Sequence, residues 1–348
     1  MRILVTGATG FLGGHLVDRA IREGHQVRAL VRVGSDITGL RAVAGLSLVY
    51  GDLGDSQSLL RATRDIDVVH HSAARVSDIG TRAQFWEANV SGTERLLDAC
   101  RRSRVSRLVF VSSPSALMGV KGGDQLDIDE GTPYPDRWLN FYSETKAAAE
   151  QRVLAADEFA FTTCALRPRG IWGPRDYRGF VPRMVAAMRA GRLPDLSGGK
   201  QVLVSLCHSD NAVSACLRAA QAPAANVGGR AFFVADRERT DLWAFLARLA
   251  ALFHATPPTR RIHPQVTDAL ARSADMLWRL PKLAATTAPP LSRYSVALLT
   301  RSSTYDTTAA REAFGYTPET DQESGLRRLV EWVDSIGGVE ALTYRQPG

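Results

Sequence analysis

Apolar residues fall in short runs separated by amphipathic stretches of helical length through the first half of the chain. Residues 3–6 form one such run, and after a glycine-rich turn Leu12, Leu16 and Ala20 recur at helical spacing until Gly24. Further runs predict strands at residues 27–31, 47–50, 67–70, 107–112 and 162–167. Periodicity between them predicts helices near residues 57–64, 86–102 and 142–156. Strands spaced by helices require right-handed crossovers, so the expected fold is α/β, a doubly wound parallel sheet.

Beyond Pro168 the alternation fades. Turn-rich pieces at 170–179 and 193–200 separate amphipathic helices near 180–190, 209–221 and 241–253. The last predicted helix, 322–335, places Leu326, Leu329, Val330 and Val333 at helical spacing. Residues 1–168 are therefore expected to form the sheet domain. Residues 169–348 would form a smaller, mostly helical substrate-binding region that can return elements to the sheet. The stretch 276–299, rich in Leu, Trp and Ala, would cover an apolar pocket, rest on a membrane surface, or pack on the first domain.

Composition narrows the classes. With 348 residues, 45% hydrophobic and 23% charged, the chain is neither disordered nor fibrous. It is long enough to fold without disulfides or metal. The net charge of +7 rests on scattered arginines without interleaved aromatics. That pattern disfavours nucleic acid and suits a small anionic cofactor. Cys100, Cys164, Cys207 and Cys216 have no CxxC or zinc spacing, so they read as reduced core residues and no metal is expected. The opening MRILVTG has no leader features, and no apolar run nears the ~18 residues of a spanning helix. A soluble, cytoplasmic protein is the expectation.

The turn Gly7-Ala8-Thr9-Gly10-Phe11-Leu12-Gly13 opens the first predicted helix directly after the first strand. Without β-carbons, glycines let backbone N–H groups approach a pyrophosphate, and the helix N-terminus adds partial positive charge. The strand–turn–helix context makes this a dinucleotide site in a Rossmann-type sheet. At the end of the second strand Val31 stands where an acid would bind the ribose of NAD, and Arg32 follows. Arg32 suits the 2′-phosphate of NADP, with a solvated strand end as the plainer alternative. NADP is the expected cofactor and NAD the alternative.

Tyr142-Ser143-Glu144-Thr145-Lys146 sets a phenol and an ammonium one helical turn apart. A cation beside a phenol lowers its pKa from about 10 and makes it a general acid or base near neutrality. A hydroxyl to hold the substrate oxygen would come from Ser113, or second from Ser115, after the fifth strand. Either serine alone reads equally well as a turn hydroxyl.

These segments together resemble the extended short-chain dehydrogenase/reductase family. The matching pieces are TGATGFLG (6–13), GDL (51–53), HHSAA (70–74), NVSGT (89–93), SSPS (112–115), YSETK (142–146), RPRGIWGP (167–174) and HSDNAV (208–213). The resemblance implies that Tyr142 moves the proton, Lys146 binds the nicotinamide ribose, and Ser113 orients the carbonyl or alcohol. It places Asp52 and Leu53 at the adenine, and Ala73, Ala74, Pro168, Gly170 and Ile171 along the cofactor. Asn89 would lie near a proton relay or act as a structural cap, and Ser115 and Trp172 would face substrate. His70 and His71 read as core residues.

Thr-Asp-Glu, usual after the fifth strand in sugar-nucleotide dehydratases, is replaced here by Ser113-Pro114-Ser115. The pattern is most similar to the 3β-hydroxysteroid dehydrogenase-like branch, which includes bacterial reductases of 2-alkyl-3-keto acids. The expected function is hydride transfer between NADP(H) and a secondary alcohol or ketone of an apolar small molecule. A redox-neutral epimerase holding NAD is the alternative, and a nucleotide-sensing protein a remoter one. Relatives pair the helices near 86–102 and 142–156, so the resemblance also implies a homodimer.

Overall fold

The computed structural model describes residues 1–41, 43–77, 79–278, 283, 287 and 291–344. Five strands of the first half are β1 (Arg2–Thr6), β2 (Gln26–Val31), β3 (Leu46–Tyr50), β4 (Val68–His71) and β5 (Arg107–Val111). With Thr162–Pro168 and Arg230–Val234 they form one sheet in the order Arg230–Val234, Thr162–Pro168, β5, β4, β1, β2, β3. Every pairing in it is parallel. The chain runs outward from β1 to β3, then returns to place β4 on the other side of β1. That reversal leaves a crevice beyond the carboxyl ends of β1 and β4.

Alternation along each strand sends neighbours to opposite faces. Ile3 and Val5 pack with Leu16 and Val17 of α1 (Phe11–Arg22) and with the helix Ser209–Gln221. Leu4 packs on the other face with Leu59, Leu96 and Val153. A third core around Val185, Leu246, Leu249, Leu326 and Val333 holds the C-terminal helices together.

The seventh strand, Arg230–Val234, and the helix Ser209–Gln221 come after Pro168 and complete the main sheet. Other features differ from the sequence expectation. The helix expected over 86–102 is three pieces: Arg82–Trp86, a π-helical turn Glu87–Ser91, and Gly92–Arg102. A short helix, Gly338–Tyr344, follows Gln322–Ser335. The C-terminal side also carries strand: Arg239–Asp241, Leu203–Ser205 and Ser303–Tyr305 join Gln125–Ile128 in a four-stranded sheet.

Within the apolar stretch 276–299, residues 279–282, 284–286 and 288–290 lie outside the described residues, so a covering or membrane role cannot be placed on them. All four cysteines are buried and free. No helix among the described residues is long and apolar enough to cross a membrane.

Candidate active site

The glycine turn is fixed by backbone contacts. Gly7 has φ +70°, and a Cβ there would meet the Ala73 nitrogen at 2.7 Å. A Cβ on Gly13 would stand 2.1 Å from the Gly7 carbonyl oxygen. Gly10 donates its N–H to that same oxygen at 2.9 Å, closing the turn. α1 then starts with no side-chain cap and no acid in its first turn, which leaves its first N–H groups free for an anion. This bare, closely approached cradle fits the pyrophosphate of a nicotinamide dinucleotide. Gly13→Ala is expected to abolish detectable dinucleotide binding by titration, because backbone cannot yield as a side-chain tip can.

Around the turn, Thr6 Oγ1 accepts the Ala73 N–H at 3.2 Å and bonds His71 Nδ1 at 2.8 Å. His71 Nε2 reaches Thr93 Oγ1 at 2.9 Å. Burial pushes both His70 and His71 down to about 3, so they stay neutral core residues at physiological pH. Arg32 follows β2 on the same edge of the sheet, exposed and without an ion pair among the described residues. Asp52 accepts the Gly54 N–H at 2.7 Å through Oδ1. Leu53 would touch a Cβ on Gly92, so it is wedged beneath the Gly92–Arg102 helix. Thr9, Phe11 and Leu12 sit in the turn and the first turn of α1, and Ala74 follows Ala73 beyond β4. Pro168 ends its strand opposite Val234, and Gly170 adopts φ +53° just before Ile171.

The chemistry-bearing side chains converge at the end of β5. Ser113 caps the 3-10 turn Pro114–Leu117, and its Oγ accepts from Ser115 N–H at 3.2 Å and Ser115 O–H at 3.0 Å. Ser115 is thereby committed to Ser113 and buried. Tyr142 lies in the first turn of the helix Phe141–Ala155, which Asn140 caps on Ser143 N–H at 2.8 Å. The Ser113 hydroxyl lies near enough to the Tyr142 phenol to pull the phenol's pKa down.

The expected depression of the phenol pKa is not what the structure shows. Burial raises Tyr142, and only the Ser113 hydrogen bond pulls it back. The Lys146 Nζ donates to the Val111 carbonyl at 2.6 Å and lies 4.0 Å from the Phe110 ring centroid. Burial lowers the Lys146 ammonium to about 7, and Glu150 one turn further along opposes that shift.

Asn89 occupies the π-helical turn, a feature frequent at functional sites. Its Oδ1 accepts Arg75 N–H at 2.6 Å and its Nδ2 donates to Thr145 Oγ1 at 3.0 Å. Asn89 thus ties the loop after β4 to the helix that carries Tyr142 and Lys146. Trp172 is turned away from the crevice. It is fully buried, donates from Nε1 to Asp236 at 2.9 Å, and packs on His208 and Phe245, which leaves it no surface for substrate.

Sequence reasoning missed the support beneath the site. Glu150 is buried and held by Arg167, with Nη2–Oε1 at 2.7 Å and Nε–Oε2 at 3.0 Å, while Tyr134 Oη donates to Oε1 at 2.5 Å. The available signal was an acid four residues after Lys146, on the face that the helix buries.

Parallel sheet, glycine cradle and the Ser113–Tyr142–Lys146 cluster define a nicotinamide-dependent oxidoreductase of Rossmann architecture. Residues 4–262 match the 3-beta hydroxysteroid dehydrogenase/isomerase family, and the chain belongs to that family. Among its relatives is a 2-alkyl-3-oxoalkanoate reductase of Stenotrophomonas maltophilia, 38% identical over 94% of this chain and 98% of that protein. A 4-hydroxy-2-methyl-3-oxo-4-farnesyl-3,4-dihydroquinoline-1-oxide ketoreductase of Stigmatella aurantiaca is 36% identical, covering 94% and 96% respectively. The solved structure of MoeE5 with UDP-glucose and NAD superposes with a TM-score of 0.70 at 25% identity, over 96% of this chain and 99% of that one.

Proposed function

We propose that the protein reduces a ketone of an apolar small molecule to the secondary alcohol, with NADP(H) held on the glycine turn and Arg32. Bound in that cradle, the dinucleotide would supply the hydride. The remaining work falls to side chains of this chain. Tyr142 Oη delivers a proton to the carbonyl oxygen as negative charge develops there. Ser113 Oγ holds the same oxygen, and Lys146 provides positive charge one helical turn below.

The carrying observation is the Tyr142–Ser113 pair at the carboxyl end of β5. A phenol raised by burial holds its proton at neutral pH and can give it to an oxygen that gains negative charge. The two relatives above are named as reductases of 3-oxo compounds, which supports the same direction. The homodimer is carried by the resemblance alone.

The NADP reading rests on Arg32, whose guanidinium is free to meet a 2′-phosphate. Arg32→Ala should weaken NADPH about tenfold or more, from the loss of a charge-assisted contact, while leaving NADH nearly unchanged. Fluorescence titration with both cofactors reads the ratio. Equal loss for both would show Arg32 to be structural, and tighter NADH than NADPH in the wild type would move the assignment to NAD.

A further inference from the structure

Two histidines end β4 side by side in opposite surroundings. His70 has no hydrogen bond at either ring nitrogen among the described residues, whereas both nitrogens of His71 are bonded. The direction of each His71 bond follows from its neighbours. Thr93 Oγ1 donates to the Asn89 carbonyl at 2.6 Å, and a hydroxyl has a single hydrogen to give. His71 Nε2 must therefore donate to Thr93 Oγ1. Burial and the nearby Lys146 charge both hold His71 neutral. Its Nδ1 then carries no hydrogen and accepts from the Thr6 hydroxyl. Thr6 Oγ1 in turn takes the Ala73 N–H.

The bonds thus run in one sense, from Ala73 through Thr6, His71 and Thr93 to the Asn89 carbonyl. Asn89 carries the chain on through its side chain. Its Nδ2 donates to Thr145 Oγ1 at 3.0 Å, and Thr145 donates to the Phe141 carbonyl at 2.8 Å and the Tyr142 carbonyl at 3.1 Å. One end stands at the glycine turn, where the Ala73 nitrogen lies 2.7 Å from a Cβ built on Gly7. The other end is the backbone of the helical turn that holds Tyr142. Thr6, His71, Thr93, Asn89 and Thr145 are all buried, so water does not stand in for a missing member. The His71 ring also lies 5.4 Å from the Phe110 ring, which carries the Lys146 ammonium over its face.

We propose that His71, held as the Nε2–H tautomer, is a positioning residue that couples the seating of the dinucleotide on the glycine turn to the placement of Tyr142. A change at the Ala73–Gly7 contact alters what Thr6 offers to Nδ1, and the polarised chain passes it to the Tyr142 helix through Thr93 and Asn89. The coupling rests on the reductase reading; the tautomer does not.

Thr93→Val tests it by removing one oxygen from the middle of the chain while keeping the side chain's shape. With octan-2-one as the ketone, kcat for NADPH oxidation is expected to fall about tenfold or more, as for a misplaced reacting group. NADPH affinity by titration should stay within about twofold, because the backbone cradle is untouched. Thr93→Ser, which keeps the hydroxyl, should bring kcat back towards wild type. Wild-type turnover in Thr93→Val, NADPH affinity falling in step with kcat, or no recovery in Thr93→Ser each overturns the coupling. Nitrogen NMR of the histidine rings, with His71→Gln to identify the signals, needs no ketone and no Thr93 variant. It should show His71 as neutral Nε2–H across neutral pH, with an Nδ1 signal that moves when NADP+ saturates the protein. An Nδ1–H ring, or an Nδ1 signal indifferent to NADP+, overturns the proposal. A wild type that oxidises no NADPH with octan-2-one counts against the reductase reading and leaves the spectrum to decide this one.

Discussion

Tyr142→Phe is expected to lose about 10²–10⁴-fold in ketone-dependent NADPH oxidation, the usual contribution of a positioned general acid. The substitution removes one oxygen whose partner is the Ser113 hydroxyl, and the ring keeps its place on the helix Phe141–Ala155. NADPH binding should stay close to wild type, because the glycine turn is built from the backbone of Gly7, Gly10 and Ala73. A stopped reaction with intact binding separates proton delivery from cofactor capture. If the variant turns over at the wild-type rate, the proton comes from elsewhere and the Tyr142–Ser113 pair is only structural. If NADPH binding falls in step with turnover, the phenol serves the cradle and the division of labour proposed here is wrong.

The parts of this site that sequence revealed are those whose chemistry is local. The glycine turn is a seven-residue device, and its spacing follows from backbone contacts such as Gly13 against Gly7. Tyr142 and Lys146 share a helix face by periodicity, and β1 to β5 are apolar runs long enough to read. What stayed hidden depends on distant segments meeting. Arg230–Val234 completes the main sheet only because it lies against Thr162–Pro168. Leu203–Ser205, Arg239–Asp241 and Ser303–Tyr305 are three residues each, too short for a period-2 signal.

Charge placement was the least legible property. Spacing alone led to a lowered Tyr142 phenol beside the Lys146 ammonium, but burial raises the phenol instead. Trp172 follows the same logic from the other side. The resemblance set it against substrate, yet Asp236 offers its indole N–H a buried partner and the ring fills the third core. Helical continuity over 86–102 also misled, because the π-helical turn at Glu87–Ser91 carries Asn89, whose bonds to Arg75 and Thr145 a regular helix was not expected to make.

Glu150→Gln should destabilise the fold by about 3–5 kcal/mol, the penalty for leaving one partner of a buried ion pair uncompensated. Arg167 is 3% exposed and Glu150 not at all, so water cannot replace the lost carboxylate. In thermal unfolding the loss corresponds to a Tm drop on the order of ten degrees. Replacing both residues by apolar ones of similar volume, Glu150→Met with Arg167→Leu, should recover much of that stability, since the pair's attraction largely offsets its desolvation. Function is expected to follow a different course. Glu150 is the anion that opposes the lowering of Lys146. Without it the ammonium loses its proton at a pH below about 7, and the charged fraction at neutral pH falls. The alkaline limb of the rate profile should then move to lower pH in the double variant even where its melting has recovered. An unchanged melt in Glu150→Gln would show that the pair does not brace the helix. A recovered melt with an unchanged pH profile would make Glu150 a packing residue, with no electrostatic hold on the lysine.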